Sequence, residues 1–267
     1  MLIGRGSFGK VYAVSDWVVV KCVKGKAGEH ESRVCRRVEE QSAKDSKYSE
    51  YVIRVLSAFY SVADDLWTIR FERANESLQD ELKRGSRPDI RRTRQVFVSV
   101  IGGLLFLHKS CGIVHNDIKP GNILCMRGGH IKIGDLGSAD IPNDGTEVTG
   151  SVGYMSPEQV QRLAGNPSYV SYSSDLYSLA VTITHMLSGN TPSWMVPNES
   201  GQLVPLQETA AIIWNRGMEK AHLKRAERPV GANKYTTQVF DVIEAMLAET
   251  AHERPSIVDV ATTMLPV

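Results

Sequence analysis

His115-Asn116-Asp117-Ile118-Lys119-Pro120-Gly121-Asn122 is the densest run of chemistry-bearing side chains in this 267-residue chain. Asp117 and Asn122 stand five apart in a loop punctuated by proline and glycine. That spacing suits one of them as a proton acceptor and the other as a metal ligand. Lys119, two residues from Asp117, is near enough to neutralise charge on a transferring phosphoryl group. Downstream, the alternating run His130-Ile131-Lys132-Ile133 predicts a short strand leading into Asp135-Leu136-Gly137. A carboxylate at a strand end, before a glycine, is suited to holding Mg²⁺. Taken alone, either aspartate fits an Asx turn equally well.

Toward the amino terminus, Val18-Val19-Val20-Lys21 ends an apolar strand on an ammonium. Such a lysine either snorkels to solvent or grips phosphate with help from a carboxylate on the next helix. Four residues compete for that partner role: Glu29, Glu31, Glu39 and Glu40. Glu31 is favoured because Val34, Cys35 and Val38 follow it at helical spacing, so the helix packs while Glu31 faces inward. The chain opens with Gly4-Arg5-Gly6-Ser7-Phe8-Gly9-Lys10-Val11. Glycines so spaced let a backbone turn approach phosphate oxygens with its amides free to donate, although a plain glycine-rich hairpin has the same pattern. A strand follows them rather than a helix, which argues against a dinucleotide fingerprint.

The remaining pattern supplies the frame. Val11–Val14, Trp17–Val20, Val52–Ala58 and Leu66–Phe71 are predicted strands, with one helix over Glu29–Glu40. From Leu78 onward the periodicity is helical. Val96, Phe97, Val100, Ile101, Leu104 and Leu105 form a broad buried stripe, and Asp175–Leu187 is apolar nearly all round. The expected class is α+β and bilobal: a small strand-rich lobe over 1–71, a hinge over 72–77 and a larger helical lobe over 78–267.

Composition narrows the partners. Thirty-one Lys+Arg against thirty Asp+Glu gives a formal charge of +1, which offers no global field for nucleic acid or an anionic membrane. Hydrophobic residues at 42% and charged residues at 23% exclude wholesale disorder. Cys22, Cys35, Cys111 and Cys125 form no CxxC pair, so neither a zinc site nor a disulfide framework is expected. The first residues lack the apolar core of a signal peptide, and no uncharged apolar run approaches the roughly 18 residues of a membrane span. An intracellular protein, cytoplasmic or nuclear, is expected.

In their order and spacing these motifs resemble the eukaryotic-type protein kinases. The resemblance adds Ser156-Pro157-Glu158, the helix start Ser174-Asp175-Leu176-Tyr177-Ser178, and His252-Glu253-Arg254-Pro255-Ser256, whose Arg254 would pair with Glu158. It covers nearly the whole chain and implies ATP and Mg²⁺ as cofactors. By that resemblance Gly4, Gly6 and Gly9 cover the phosphates, and Lys21 contacts them while paired to Glu31. Asp117 deprotonates the acceptor hydroxyl with Lys119 beside it, and Asn122 and Asp135 hold Mg²⁺. Val11, Val19 and Leu124 would sandwich the adenine, with Phe71 as gatekeeper and the backbone of Glu72 and Ala74 at the adenine edge. Cys35, Val55, His115 and Leu136 would stack between the lobes. Ser151 would bond both Asp117 and Lys119.

Four departures from the family pattern stand out. Asn116 replaces the arginine that usually precedes the catalytic aspartate. Glu147 stands where many relatives carry an activating phosphothreonine, so it reads either as a solvated loop glutamate or as a fixed charge that gives activity without loop phosphorylation. Val19 replaces the usual alanine and narrows the adenine roof. The first strand is short, which leaves room for a regulatory partner or a further amino-terminal segment at the small lobe. Lys119 and Gly150-Ser151 resemble serine/threonine kinases, while Asp117-Ile118-Lys119-Pro120 with Gly134-Asp135-Leu136-Gly137 also resembles the Wee family, which can modify tyrosine. A pseudokinase scaffold is the reading from another class, and a small-molecule kinase a third. The region Thr191–Lys234 is the expected protein-substrate docking surface on the helical lobe; its basic run Lys220, Lys224, Arg225 and Arg228 reads first as a solvated helix face and otherwise as a dock for an acidic substrate.

Overall fold

The computed structural model describes residues 1–6, 9–45, 47–85, 88–140, 150–189 and 234–265. Five antiparallel strands make the small lobe: β1 Leu2–Gly6, β2 Gly9–Ala13, β3 Val18–Lys24, β4 Val55–Ser61 and β5 Leu66–Glu72, in the order β1-β2-β3-β5-β4. Helix α1, Gly25–Ser42, packs on this sheet through Val34, Cys35 and Val38, which are all buried. It is longer at both ends than the periodic stretch Glu29–Glu40, because its flanks are polar or glycine and carry no hydrophobic signal.

Two strand expectations shift. Val14 and Trp17 fall outside the strands: the Ser15 hydroxyl accepts the Trp17 and Val18 amides and tightens the turn between β2 and β3. Val52 and Ile53 belong to neither β4 nor its sheet. Val52 bridges Ile133, and the Ile53 amide donates to the Ile133 carbonyl at 2.7 Å, stitching the small lobe to the large one. A β-branched run looks the same whichever sheet it joins, so the sequence alone could not separate these residues from β4.

Beyond Glu72 the chain forms β6 Glu76–Ser77, then α2 Leu78–Lys83 and α3 Ile90–Leu105, followed by one π-type turn over Phe106–Cys111. Strands β7 Ile123–Cys125 and β8 Ile131–Ile133 complete a second antiparallel sheet in the order β6-β7-β8. Helices α4 Pro157–Leu163, α5 Tyr172–Ser188, α6 Lys234–Met246 and α7 Ile257–Met264 are the remaining described α-helices of the large lobe. Ser174 through Met186 of α5 are all buried. The hydroxyls of Ser178, Thr182 and Thr184 donate to the carbonyls of Ser174, Ser178 and Ala180, so a helix enclosed on every side leaves none of these three unsatisfied.

The lobes are joined by side chains as well as by the chain itself. Lys132 reaches Glu72 at 2.6 Å, and the same Glu72 oxygen accepts the Arg54 amide. Arg127 stacks over the exposed Trp17 ring at 4.2 Å, and the Asn75 amide donates to the Cys125 carbonyl. Tyr51 wedges against α3 where two glycines admit it. A Cβ on Gly103 would lie 2.7 Å from the Ile133 side chain and 2.9 Å from the Tyr51 carbonyl. Gly103→Ala is therefore expected to cost about 1–3 kcal/mol by overpacking, read as a lower urea midpoint at unchanged slope. All four cysteines are free thiols, and no described helix is long and apolar enough to cross a membrane.

Candidate active site

The sheet register places the small-lobe candidates. Val11 opposes Lys21, Lys21 opposes Ile69, and Val19 opposes Phe71. Opposed residues share a face and alternate residues return to it, so Val11, Val19, Lys21 and Phe71 project on one side. Phe71 is buried, and half-buried Val19, Ala74 and Leu124 pack against the same core. The Glu72 amide is already bonded to the Arg54 carbonyl. Gly4 and Gly6 lie on β1 and Gly9 opens β2, with Gly6 and Gly9 paired across the hairpin; Ser7 and Phe8, at its tip, lie outside the described residues.

Lys21 is the centre of a three-residue charge cluster. Its ammonium donates to Glu31 Oε1 and to Asp135 Oδ1, both at 2.7 Å. Burial alone would lower the Lys21 pKa, but the carboxylates of Asp135 and Glu31 outweigh it and hold the pKa above its ordinary value. Asp135 shows the opposite balance: burial would raise it, and the Lys21 charge and hydrogen bond keep it low. Glu31 has no exposed surface, and burial together with the second carboxylate raises its pKa against the pull of Lys21. Among the four glutamates on α1, Glu31 is the one that meets Lys21; Glu29, Glu39 and Glu40 are exposed.

In the large lobe, β7 and β8 bring Asn122 and Asp135 to one end of their hairpin. Ile123 pairs with Ile133, and the Gly134 amide donates to the Asn122 carbonyl at 2.8 Å. Asp135 adopts a left-handed backbone with φ 54° and Asn116 does so with φ 66°, a region in which Asp and Asn are the best tolerated residues after glycine. The Asn122 amide nitrogen donates to both the Asp117 carbonyl and Asp117 Oδ2, each at 2.8 Å. Lys119 donates to the same Oδ2 at 2.7 Å and to the Ser151 hydroxyl at 2.6 Å. Asp117 Oδ1 is buried and has no hydrogen-bond partner among the described residues. Ser151 therefore reaches Asp117 through Lys119, not by the direct bond expected of it, because the lysine occupies the space between them.

Asp175, which the sequence marks only as part of a helix start, holds this loop together with His115 and Asn116. Asp175, fully buried at the start of α5, accepts the His115 amide at 2.7 Å, the Asn116 amide at 2.8 Å and His108 Nε2 at 2.9 Å. A lone carboxylate at the head of an otherwise apolar helix was the available signal. His115 Nε2 donates to the Gly134 carbonyl at 2.9 Å, tying the two loops together. The Asn116 side chain donates to the Ser138 carbonyl at 3.1 Å. Cys35, Val55 and Leu136 join one buried core, and His115 is fully enclosed.

Glu158 and Arg254, 96 residues apart, form a two-pronged pair: Nη1 to Oε1 at 2.7 Å and Nη2 to Oε2 at 2.8 Å. Burial pushes the Glu158 carboxyl up, but Arg254 and the Ser174 hydroxyl outweigh it and leave the pKa below the ordinary range. Thr146, Glu147 and Thr149 lie outside the described residues, as does the expected docking region up to residue 233 with Lys220, Lys224, Arg225 and Arg228.

The chain is similar in sequence to known proteins. The protein kinase domain family matches residues 1–265. A serine/threonine-protein kinase of Corynebacterium efficiens is 32% identical over 208 residues, covering 72% of this chain and 38% of that protein. The serine/threonine-protein kinase TOUSLED of Arabidopsis thaliana is 26% identical over 279 residues, covering 97% of this chain and 38% of that protein. A proline-rich receptor-like protein kinase of the same plant is 26% identical over 275 residues, with 95% and 36% covered. The chain spans well under half the length of these curated relatives. With a five-stranded small lobe, a helical large lobe and a family match over almost its full length, the chain belongs to the protein kinase domain family.

Proposed function

We propose that the chain transfers the γ-phosphoryl group of ATP to serine or threonine hydroxyls of a protein substrate. The observation that carries this reading is Asp117: one carboxylate oxygen is held by Lys119 and Asn122, while the other is buried without a partner among the described residues. A carboxylate held in this way keeps one whole oxygen, Oδ1, to accept from an acceptor hydroxyl. The hydroxyl oxygen forms the new bond to phosphorus as the bond to the departing β-phosphate oxygen breaks, and its proton passes to Asp117. Lys119 offsets charge beside the acceptor. Lys21, held by Glu31, grips the α- and β-phosphates, and Gly4, Gly6 and Gly9 supply backbone amides above them. Val11, Val19, Phe71, Ala74 and Leu124 offer the apolar slot for the base, with the Glu72 and Ala74 backbone at its edge. Catalysis on this reading is positioning and charge stabilisation, with no covalent enzyme intermediate.

Asn122 and Asp135 fit Mg²⁺. Both carry hard oxygen donors, and the observed bonds of the Asn122 side chain use its nitrogen, leaving its carbonyl oxygen for a cation. Asp135 keeps 41% of its side chain exposed despite the Lys21 pair. Among the described residues no three His, Cys, Asp or Glu side chains group as a metal site, so the ion would complete its shell with phosphate oxygens and water. When bound, it would neutralise the phosphate charge.

The Lys119–Ser151 bond supports serine/threonine acceptors over tyrosine, as do the names of the Corynebacterium and TOUSLED relatives. Four free cysteines fit an intracellular setting. The test is transfer from ATP–Mg²⁺ to a degenerate Ser/Thr/Tyr peptide library, with a Thr146→Ala/Thr149→Ala variant alongside. Both proteins are expected to label serine and threonine at equal rates. Nucleotide binding without any transfer would replace this reading with a scaffold, and a collapse of the double variant alone would show that loop phosphorylation is required.

A further inference from the structure

The amino-terminal half of α1 supports itself poorly. It opens Gly25-Lys26-Ala27-Gly28, with two poor helix formers in its first turn, no side-chain cap and no acidic residue to meet the helix dipole. Gly28 cannot be improved, because a Cβ there would lie 2.7 Å from both the Trp67 ring and the Val23 carbonyl. Yet Glu31, which pairs with Lys21, stands only three residues past Gly28. Tertiary contacts must therefore hold the helix start in place.

His30 supplies one from the position next to Glu31. Its Nε2 lies 2.8 Å from the Ala139 carbonyl, which can only accept, so Nε2 carries the proton. Arg33 Nη2 lies 3.3 Å from His30 Nδ1, and a guanidinium can only donate, so Nδ1 is the acceptor. The two partners together select the Nε2–H tautomer. Ala139 is fully buried, four residues past Asp135, and the backbone on either side of it is fixed. Ser138 O accepts the Asn116 side chain at 3.1 Å, and Asp140 exchanges two 2.8 Å backbone bonds with Val114. A chain of hydrogen bonds and backbone thus runs from the Asp117 loop through Ser138–Asp140 to His30 and Glu31.

We propose that His30 is a positioning residue that docks the start of α1 onto the backbone following Asp135. The ion cluster of Glu31, Lys21 and Asp135 is then assembled without an added phosphate. Asn116, in place of an arginine, belongs to the same device: its amide binds a carbonyl, not an anion. The inference rests on the kinase reading of that cluster, and its test has a readout independent of turnover.

The experiment compares the full chain with His30→Ala and His30→Gln, since glutamine restores an N–H donor. Peptide phosphorylation kinetics and amide hydrogen exchange are measured on all three. The alanine variant is expected to lose about fivefold in kcat at unchanged peptide KM, or ~1 kcal/mol at 1.36 kcal/mol per tenfold. Exchange should quicken in residues 25–42 and 133–140 but not in α3, and the glutamine variant should recover most of both effects. Wild-type kinetics and exchange in His30→Ala would overturn the proposal. So would equal losses in both variants with exchange quickened across α3, the mark of general destabilisation. Should the wild-type chain transfer no phosphate, the kinase reading fails by itself and the local exchange contrast still decides the tether.

Discussion

Asp117→Asn is expected to lower phosphoryl transfer about 10³-fold, the range for removing a positioned general base, while nucleotide affinity stays within about twofold. The reason is polarity, since the asparagine is the same size. Lys119 and Asn122 both donate to Asp117 Oδ2, so an asparagine must turn its carbonyl oxygen toward them. Its NH₂ then occupies the place of the unpartnered Oδ1 and presents a donor where the acceptor hydroxyl also donates. Turnover under saturating ATP and peptide, paired with a direct nucleotide-binding titration, separates the two effects. Residual activity above about a tenth of wild type would take the proton-acceptor role away from Asp117.

The parts of this site that could be read from the sequence are those whose chemistry is local. His115–Asn122 places Asp117, Lys119 and Asn122 within eight residues, and a loop that short brings them together whatever surrounds it. Glu31 could be chosen from four glutamates because Val34, Cys35 and Val38 mark the buried face of α1, and helical geometry does the rest. Asp175 gave no comparable signal. It lies 59 residues from Asn116, and only the closure of the fold shows that its carboxylate gathers two loop amides and a histidine. Asn116 was legible as a lost arginine, but its bond to Ser138 depends on a left-handed backbone that no pattern announces. The same holds for His30, which the periodicity of α1 marks only as a flank. Residues that act by what they touch across the fold are invisible until the fold is known, whereas residues that act in concert with sequence neighbours are not.

Arg254→Ala is expected to cost about 3–5 kcal/mol of stability at pH 7, the range for breaking a buried pair by removing one partner. Arg254 and Glu158 are both buried, and Arg254 also donates to the carbonyls of Ala248, Ser173 and Glu249. Truncation leaves three carbonyls short of a donor and strands a carboxylate whose remaining side-chain donor is Ser174 at 2.7 Å. The pH dependence identifies which loss dominates. In the wild type Glu158 is held below its ordinary pKa, so its contribution is complete above the unfolded value of about 4.3 and disappears as pH falls through the folded value. In the variant burial acts unopposed by the guanidinium and raises the same carboxyl, so protonation relieves the folded state and the gap between the two proteins narrows as pH drops from 7 toward 4. Urea unfolding across that range measures the gap directly. A gap independent of pH would assign the loss to the three carbonyls, and one below about 1 kcal/mol at pH 7 would mean that water or rearrangement satisfies the stranded carboxylate. A paired Glu158→Leu/Arg254→Leu variant removes the charge together with its partner. It should recover much of the stability if the uncompensated carboxylate is the principal cost.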